Sequence, residues 1–320
     1  MYVFGGLSGT STSYNDLWVF DLAQKIWSRP LSNGSFPSPK AAATFIPHEK
    51  KILLYGGYSH PYSYVHQQTS FFDELHIFCT VTSQWNQVLF SQEAPKLAGH
   101  TASIINGNKL IMFGGCNGSL GNKTNAVYSL DLDNYEWDTF SVDGSQETRI
   151  TREIDGFKPE ARYGHSQISL DDERVLIIGG CGGPNKQYDD FWILNWPKDK
   201  RKHAFWQQII VNNAINSPAQ IYCISFVRYD NKLVTFGKPR IPPPFSLTSK
   251  TENKPHISNP FVSDGFQNPD NSDMNVYTIA GNDKTLKFRK CSCMSLSVPI
   301  INSTSHLLPN PNVTPENGLK

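Results

Sequence analysis

The chain has 320 residues, with 29 basic and 28 acidic side chains and a net charge of +1. That balance argues against a broad nucleic-acid footprint, which needs a strongly basic face. No apolar run is long enough for a membrane-spanning helix, and no basic stretch followed by an apolar one marks a signal peptide.

In chain order, the first segment is MYVFGG (1–6), a short apolar run that stops at Gly5-Gly6. An aromatic-rich run follows, DLWVFDL (16–22), and then Trp27. The same order returns three times. KILLYGG (51–57) ends on Gly56-Gly57 and leads to FFDELHIF (71–78) and Trp85. KLIMFGG (109–115) ends on Gly114-Gly115 and leads to AVYSLDL (126–132) and Trp137. RVLIIGG (174–180) ends on Gly179-Gly180 and leads to DDFWILN (189–195) and Trp206. A unit of about fifty residues repeated along a chain signals a repeat architecture.

Runs such as ILLY and LIMF lack polar alternation and read as strands buried on both faces. Each glycine pair lets the strand turn sharply where it leaves a crowded centre. The aromatic run reads as a third strand with one buried and one polar face, and the tryptophan fills the wedge between neighbouring sheets. A first strand precedes each apolar run, at AAATFI (41–46), HTASII (100–105), HSQISL (165–170) and QIYCISF (220–226). The turns HEK (48–50), NGN (106–108), DDE (171–173) and YDN (229–231) carry hairpin signals. Four antiparallel strands per unit make a blade, and several blades make a β-propeller.

A fifth unit is weaker. LVTFG (233–237) keeps one glycine, and Phe288 stands where a tryptophan is expected. The expectation is an all-β protein of about five recognisable four-stranded blades, the first incomplete because it begins at its second strand. The propeller is expected over 1–290. A mobile Pro-rich insertion is expected at 239–273, and a mostly disordered tail at 291–320, where SLSVPII (295–301) could still form a strand.

The hydrophobic run, double glycine, aromatic strand and tryptophan resemble the kelch repeat. The stretches NDLWVFDL (15–22), GSFPSPKA (34–41), FFDELHIF (71–78), APKLAGH (94–100) and VLIIGGCGGPN (175–185) are also similar to the kelch region of F-box/kelch proteins. That resemblance implies a non-catalytic substrate receptor of a Skp1–cullin–F-box ubiquitin ligase, in the cytoplasm or nucleus. Skp1 and cullin would be reached only through an F-box upstream of this chain. The kelch fold also hosts metal-dependent oxidases, iron-using specifier proteins and cytoskeletal scaffolds, which stand as alternatives.

The six cysteines fit no zinc spacing and read as packed free thiols. The N-x-S/T triplets at Asn33, Asn117, Asn122, Asn302 and Asn312 read as turn composition. GGCGGPN (179–185) and GNKT (121–124) lack the full phosphate-loop pattern. His100 and His165 recur at one place in the repeat, which suggests a structural role, a side chain bonding to backbone near the axis. No catalytic residue, metal or cofactor is expected. The basic run from Lys198 to Lys202 reads as a solvated turn between two strands of the fourth unit.

The expected binding surface is the set of loops after the glycine pairs, together with the interblade segment 141–163. Its candidates are Tyr58, His60, Tyr62, Tyr64 and His66 in one loop, with Asn117, Asn185 and Lys186 in two others. Arg149, Arg152, Arg162 and Tyr163 come from the interblade segment. Exposed aromatics anchor protein interfaces, and arginines read acidic or phosphorylated segments.

Overall fold

The computed structural model describes residues 1–9, 12–60, 69–137, 154–155, 158–183, 186–196, 198, 204–211, 226–229, 232–236, 273–282 and 285–295. At 154–155, 210–211, 229, 236 and from 273 onward it describes the backbone alone. Strands group into five successive blades, the last two joined by parallel pairing of Ile210 and Val211 with Thr285 and Leu286. The first holds β1 (Tyr2–Leu7), β2 (Ser13–Asp21) and β3 (Ile26–Ser28), all antiparallel. The second follows a two-residue strand, β4 (Asn33–Gly34), and contains β5 (Thr44–His48) and β6 (Lys51–Tyr55). A short hairpin, β7 (Tyr58–Ser59) with β8 (Ser70–Phe71), then leads to β9 (Leu75–Cys79) and β10 (Gln84–Val88). Its order is β5-β6-β9-β10, with β4 parallel to β10 at the rim.

After β11 (Leu97–Ala98), the third sheet is built from β12 (Thr101–Ile105), β13 (Lys109–Phe113) and, beyond β14 (Cys116–Asn117), β15 (Val127–Asp131). Trp137 bridges Leu130 where a fourth strand would begin. The fourth sheet follows β16 (Ile154–Asp155). It holds β17 (Ser166–Ser169), β18 (Arg174–Gly183), β19 (Lys186–Asn195) and β20 (Ala204–Val211). The fifth has β21 (Phe226–Tyr229), β22 (Lys232–Phe236), β23 (Asp273–Asn282) and β24 (Thr285–Ser295). The first strands touch in succession, β5 against β12, β12 against β17, and β17 against β21. They therefore form the inner ring of a propeller.

Apolar layers lie between blades. Tyr2, Phe4 and Leu17 of the first blade meet Ile52, Leu54, Phe78 and Trp85 of the second. Leu53, Tyr55 and Ile77 on the second blade's other face meet Leu110, Met112 and Trp137 of the third. Ile111 and Phe113 then meet Ile177, Trp192 and Trp206, and Ile178 with Ile193 meets Phe226 and Leu233. Alternation along each strand sends successive side chains to opposite interfaces, so a strand with no polar alternation is what this stacking requires.

Three expectations need correction. The third strands of the second and third blades, LHIFC and VYSLD, are buried on both faces because each of these sheets is sandwiched between two others, whereas β2 of the first blade fully buries only Leu17. Their acids sit at the strand end, where Asp21 Oδ1 accepts the Ala23 and Gln24 N–H groups and Asp131 Oδ1 accepts that of Asp133. The second inner strand starts at Thr44 rather than Ala41, since Ala42 has a positive φ of 52°. Of the stretch QIYCISF only Phe226, the first residue of β21, lies among the described residues. Finally, Trp27 is 47% exposed, whereas Trp85, Trp137 and Trp206 are 1%, 3% and 7% exposed.

The tryptophans share one register position, opposite Phe20, Phe78, Leu130 and Leu194. What differs is the preceding blade. Trp85 meets Phe4 at 5.4 Å, Trp137 meets Tyr55 at 5.6 Å, and Trp206 meets Phe113 at 4.9 Å. Each partner is the residue just before the preceding blade's glycine pair. Trp27 contacts Phe20 of its own blade at 4.8 Å.

β24 runs to Ser295, five residues past the expected propeller boundary. The Pro-rich stretch and SLSVPII beyond Ser295 lie outside the described residues. Among the described residues no helix is long and apolar enough to cross a membrane.

Candidate functional site at the glycine-pair end

The glycine pairs are the points where three pieces of chain cross. At Gly114 (φ +65°) a Cβ would lie 2.6 Å from the Arg162 carbonyl oxygen and 2.9 Å from His165 Cε1, both from the segment entering the fourth blade. At Gly115 (φ +87°) it would lie 2.7 Å from the His100 nitrogen, in the segment entering its own blade. One glycine therefore admits the next blade's linker and the other its own blade's linker. Backbone bonds repeat the arrangement. Gly6, Gly57 and Gly115 donate to the carbonyls of Lys40, Leu97 and Arg162. Ala41, Ala98 and Tyr163 pair antiparallel with Tyr58, Cys116 and Cys181, the residues that follow the glycines. Those six form one apolar cluster with Phe71. The loop starts and the interblade linkers are thus brought to the same end of the propeller.

His100 and His165 stitch neighbouring blades. His100 Nε2 lies 3.2 Å from Thr44 Oγ1, and His165 Nε2 lies 2.5 Å from Thr101 Oγ1. Thr101 already donates its hydroxyl proton to Gln167 Oε1 at 2.9 Å, so His165 Nε2 is the donor. The bonds run to side chains of the preceding blade, and His165 also has the expected kind of bond to backbone, with Phe113. Burial lowers the His100 pKa to about 3. Burial, then the Arg162 charge, holds His165 well below its usual value. His76 falls to about 4 through burial and the nearby Lys40, with Glu74 opposing.

A second repeated device escaped the sequence reading. Lys40 is 1% exposed, donates to Glu74 at 2.9 Å and lies 4.1 Å over the Phe72 ring. Burial lowers its pKa, and Glu74 works against that fall. Arg162, 0% exposed, grips Asp190 through Nη1 at 2.5 Å and Nη2 at 2.9 Å, and also donates to the Gly179 carbonyl. In the third blade the matching pair is Leu97 and Ala126, which share an apolar cluster. The signal was in the sequence. A base at 40 and 162 accompanies an acid at 74 and 190, and both disappear together at 97 and 126.

Arg162→Ala is expected to cost about 2–3 kcal/mol, because it strands a carboxylate; full burial would cost more, but Asp190 is a quarter exposed. Arg162→Leu with Asp190→Ala, the third-blade solution, is expected to recover most of that loss. Urea midpoints of the single and double variants check this. A double variant no better than Arg162→Ala would overturn it.

The expected binding residues divide. Tyr58, Tyr163 and Arg162 are buried and engaged, Tyr58 stacking on Phe71 at 6.0 Å, so they are structural and not free to meet a partner. His60 is half-buried, and its N–H donates to Ser13 Oγ. Asn117 is half-buried, and its backbone pairs with Asn122. Lys186 is exposed and bonded to Glu160, which Tyr188 also approaches at 3.3 Å. Tyr62, Tyr64, His66, Arg149, Arg152 and Asn185 lie outside the described residues. In the basic run, Lys198 lies between β19 and β20 and pairs with Asp172 at 2.9 Å. Cys79, Cys116 and Cys181 are free thiols, and burial pushes Cys116 up to about 11. Among the described residues no three His, Cys, Asp or Glu side chains converge as a metal site would require.

Comparison with known proteins agrees with this architecture. Residues 1–202 match the family described as FBX42, beta-propeller domain. Kelch domain-containing protein 1 of Homo sapiens is 27% identical over 258 residues, 74% of this chain and 58% of that protein. Kelch domain-containing protein 10 of Homo sapiens is 26% identical over 257 residues, 74% of this chain and 52% of that protein. The chain thus spans little more than half the length of these relatives. Among solved structures, that of YjhT superposes with a TM-score of 0.52 at 17% identity, over 73% of this chain and 67% of that one.

Proposed function

This chain belongs to the FBX42 beta-propeller domain family, and from that we propose that it is a non-catalytic protein-recognition module, the substrate-binding part of a Skp1–cullin–F-box ubiquitin ligase. The supporting observation is how the polar side chains are used. Lys40, Arg162, His100 and His165 are consumed in holding blades together. What remains outward at the glycine-pair end is loop surface, such as Asn117 and the Glu160–Lys186–Tyr188 group. Binding residues carried on loops over a rigid scaffold are the usual arrangement for recognition. The ligase assignment rests on the family description, with the Skp1 contact made by an F-box outside these residues.

The test joins the chain to an F-box segment and measures ubiquitin transfer to captured proteins in a reconstituted ligase. Tyr62→Ala, Tyr64→Ala, Arg152→Ala and Lys186→Glu are each compared with the parent chain. Loss of a true anchor is expected to weaken capture by about 2 kcal/mol, roughly thirtyfold, with the thermal midpoint unchanged. Transfer that survives all four changes but is abolished by changes at the opposite end would refute the assignment of the surface. Capture without any transfer would refute the ligase role.

A further inference from the structure

Resting on the recognition role given above, we propose that the junction of the third and fourth blades at the glycine-pair end binds an acidic segment of a partner protein. Glu160 fills that site as a stand-in carboxylate until the partner displaces it.

The carboxylate already in place shows what the site accepts. Glu160 Oε2 accepts a hydrogen bond from Lys186 Nζ and lies 3.3 Å from the Tyr188 hydroxyl. The Lys186 hydrogen bond, opposed by burial, holds the Glu160 carboxyl below its usual range, and Tyr188 and the Arg162 charge add to the effect. Tyr188 is fixed from behind. The Arg162 guanidinium carbon lies 4.1 Å over its ring, and Arg162 is itself locked by Asp190 and the Gly179 carbonyl. The amine and the phenol therefore stand on a rigid base that receives a carboxylate from either source.

The internal carboxylate is held loosely. The Lys186 and Glu160 side chains are 54% and 61% exposed. A pair this exposed contributes little to stability and is screened by salt. Exchanging Glu160 for a partner's carboxylate therefore leaves the fold intact, unlike breaking the buried Arg162–Asp190 pair.

Further amines converge on the same ground. A Cβ on Gly182 would lie 3.2 Å from Lys186 Cδ, and one on Gly183 would lie 3.9 Å from Lys123 Nζ. Amines from two successive blades thus flank the β18–β19 hairpin. Lys158, exposed, precedes Pro159, whose carbonyl accepts the Asn125 side-chain N–H at 3.0 Å, two residues after Lys123. The acids nearby are Glu160 and the exposed Asp189, since Asp190 is engaged by Arg162. The lysines outnumber them, so the local charge favours an acidic chain and steers its approach. An extended segment with more than one carboxylate can meet Lys186 and Lys123 together.

The probe is a labelled peptide of alternating glutamate and glycine, titrated against the whole chain by fluorescence polarisation at low salt. Saturable binding is expected, and replacing the glutamates with glutamine should abolish it. Lys123→Glu and Lys186→Glu should each weaken it about fivefold. Glu160→Gln should act in the opposite sense and tighten it about threefold, because it frees Lys186. A purely structural ion pair would give no such gain. A thermal melt of each variant confirms that it folds. Each of four results would overturn the proposal: no saturable binding, equal binding of the glutamine peptide, lysine variants that bind like the parent, or Glu160→Gln binding no tighter. A phosphoserine version of the peptide that binds where the glutamate version does not would also overturn it, in favour of a phosphate site. The peptide is read without an F-box or ubiquitin transfer, so this outcome is separate from that of the ligase test.

Discussion

Trp137→Ala should destabilise the chain by about 3–5 kcal/mol, while Trp27→Ala should cost under about 1 kcal/mol. Both residues occupy the same place in the repeat. Trp137 is 3% exposed, with Tyr55 at 5.6 Å and Phe90 at 5.4 Å, so its removal opens a cavity in the layer between the second and third blades. Trp27 is 47% exposed and leaves little cavity behind. Trp137→Phe should be far milder than alanine, because the Trp137 indole N–H is buried without a partner among the described residues and phenylalanine removes that cost along with some volume. Chemical denaturation of the three variants against the parent chain decides the matter. Equal losses at Trp27 and Trp137 would mean that the first blade's outer face is covered in solution.

That contrast shows what the repeat pattern made legible and what it did not. The four glycine pairs and four tryptophans located the blades, because spacing along the chain survives folding as position within a sheet. Burial did not follow from spacing. Whether a tryptophan is covered depends on the neighbouring blade, and Trp27 carries the same motif as Trp85 with a different environment. The candidate site divides for the same reason. Arg162 reads in sequence as a free arginine beside a long loop, well suited to a partner's carboxylate. Its partner is Asp190, 28 residues later in the chain, and only the paired loss of charge at Leu97 and Ala126 hints at it. Tyr58 and Tyr163 read in sequence as loop and linker aromatics, but each lies where a linker pairs with the residue after a glycine pair, and that crossing buries it. Lys186 and Asn117, one step further along their loops, keep exposed surface.

The histidines give the fold a predictable acid limit. His76, His100 and His165 are 2%, 4% and 5% exposed and neutral in the folded chain, with His76 at about 4 and His100 at about 3. In the unfolded chain each titrates near 6.5. Between those values the unfolded state binds more protons, so stability falls as pH drops below about 6.5 and levels off only below the folded values. Each histidine contributes up to about 1.4 kcal/mol per pH unit across that window. Two units below 6.5, three such groups forfeit several kcal/mol, comparable with a whole domain's stability of about 5–15 kcal/mol. The chain should therefore lose stability steadily from about pH 6.5 downward, a decline that begins well before most carboxylates, near pH 4, are protonated. His100→Ala isolates the cause, because Ala43 occupies the equivalent position in the second blade. At pH 7.5 it should lower stability through the lost Thr44 contact. From pH 6.5 to 4.5 its urea midpoint should fall with a slope about one third shallower than the parent's, since one of three titrating groups is gone. Adding His165→Ala should flatten the slope again. If both variants kept the parent slope, the acid sensitivity would belong to other groups, and the His–Thr bonds between blades would not be the point at which protons open the ring.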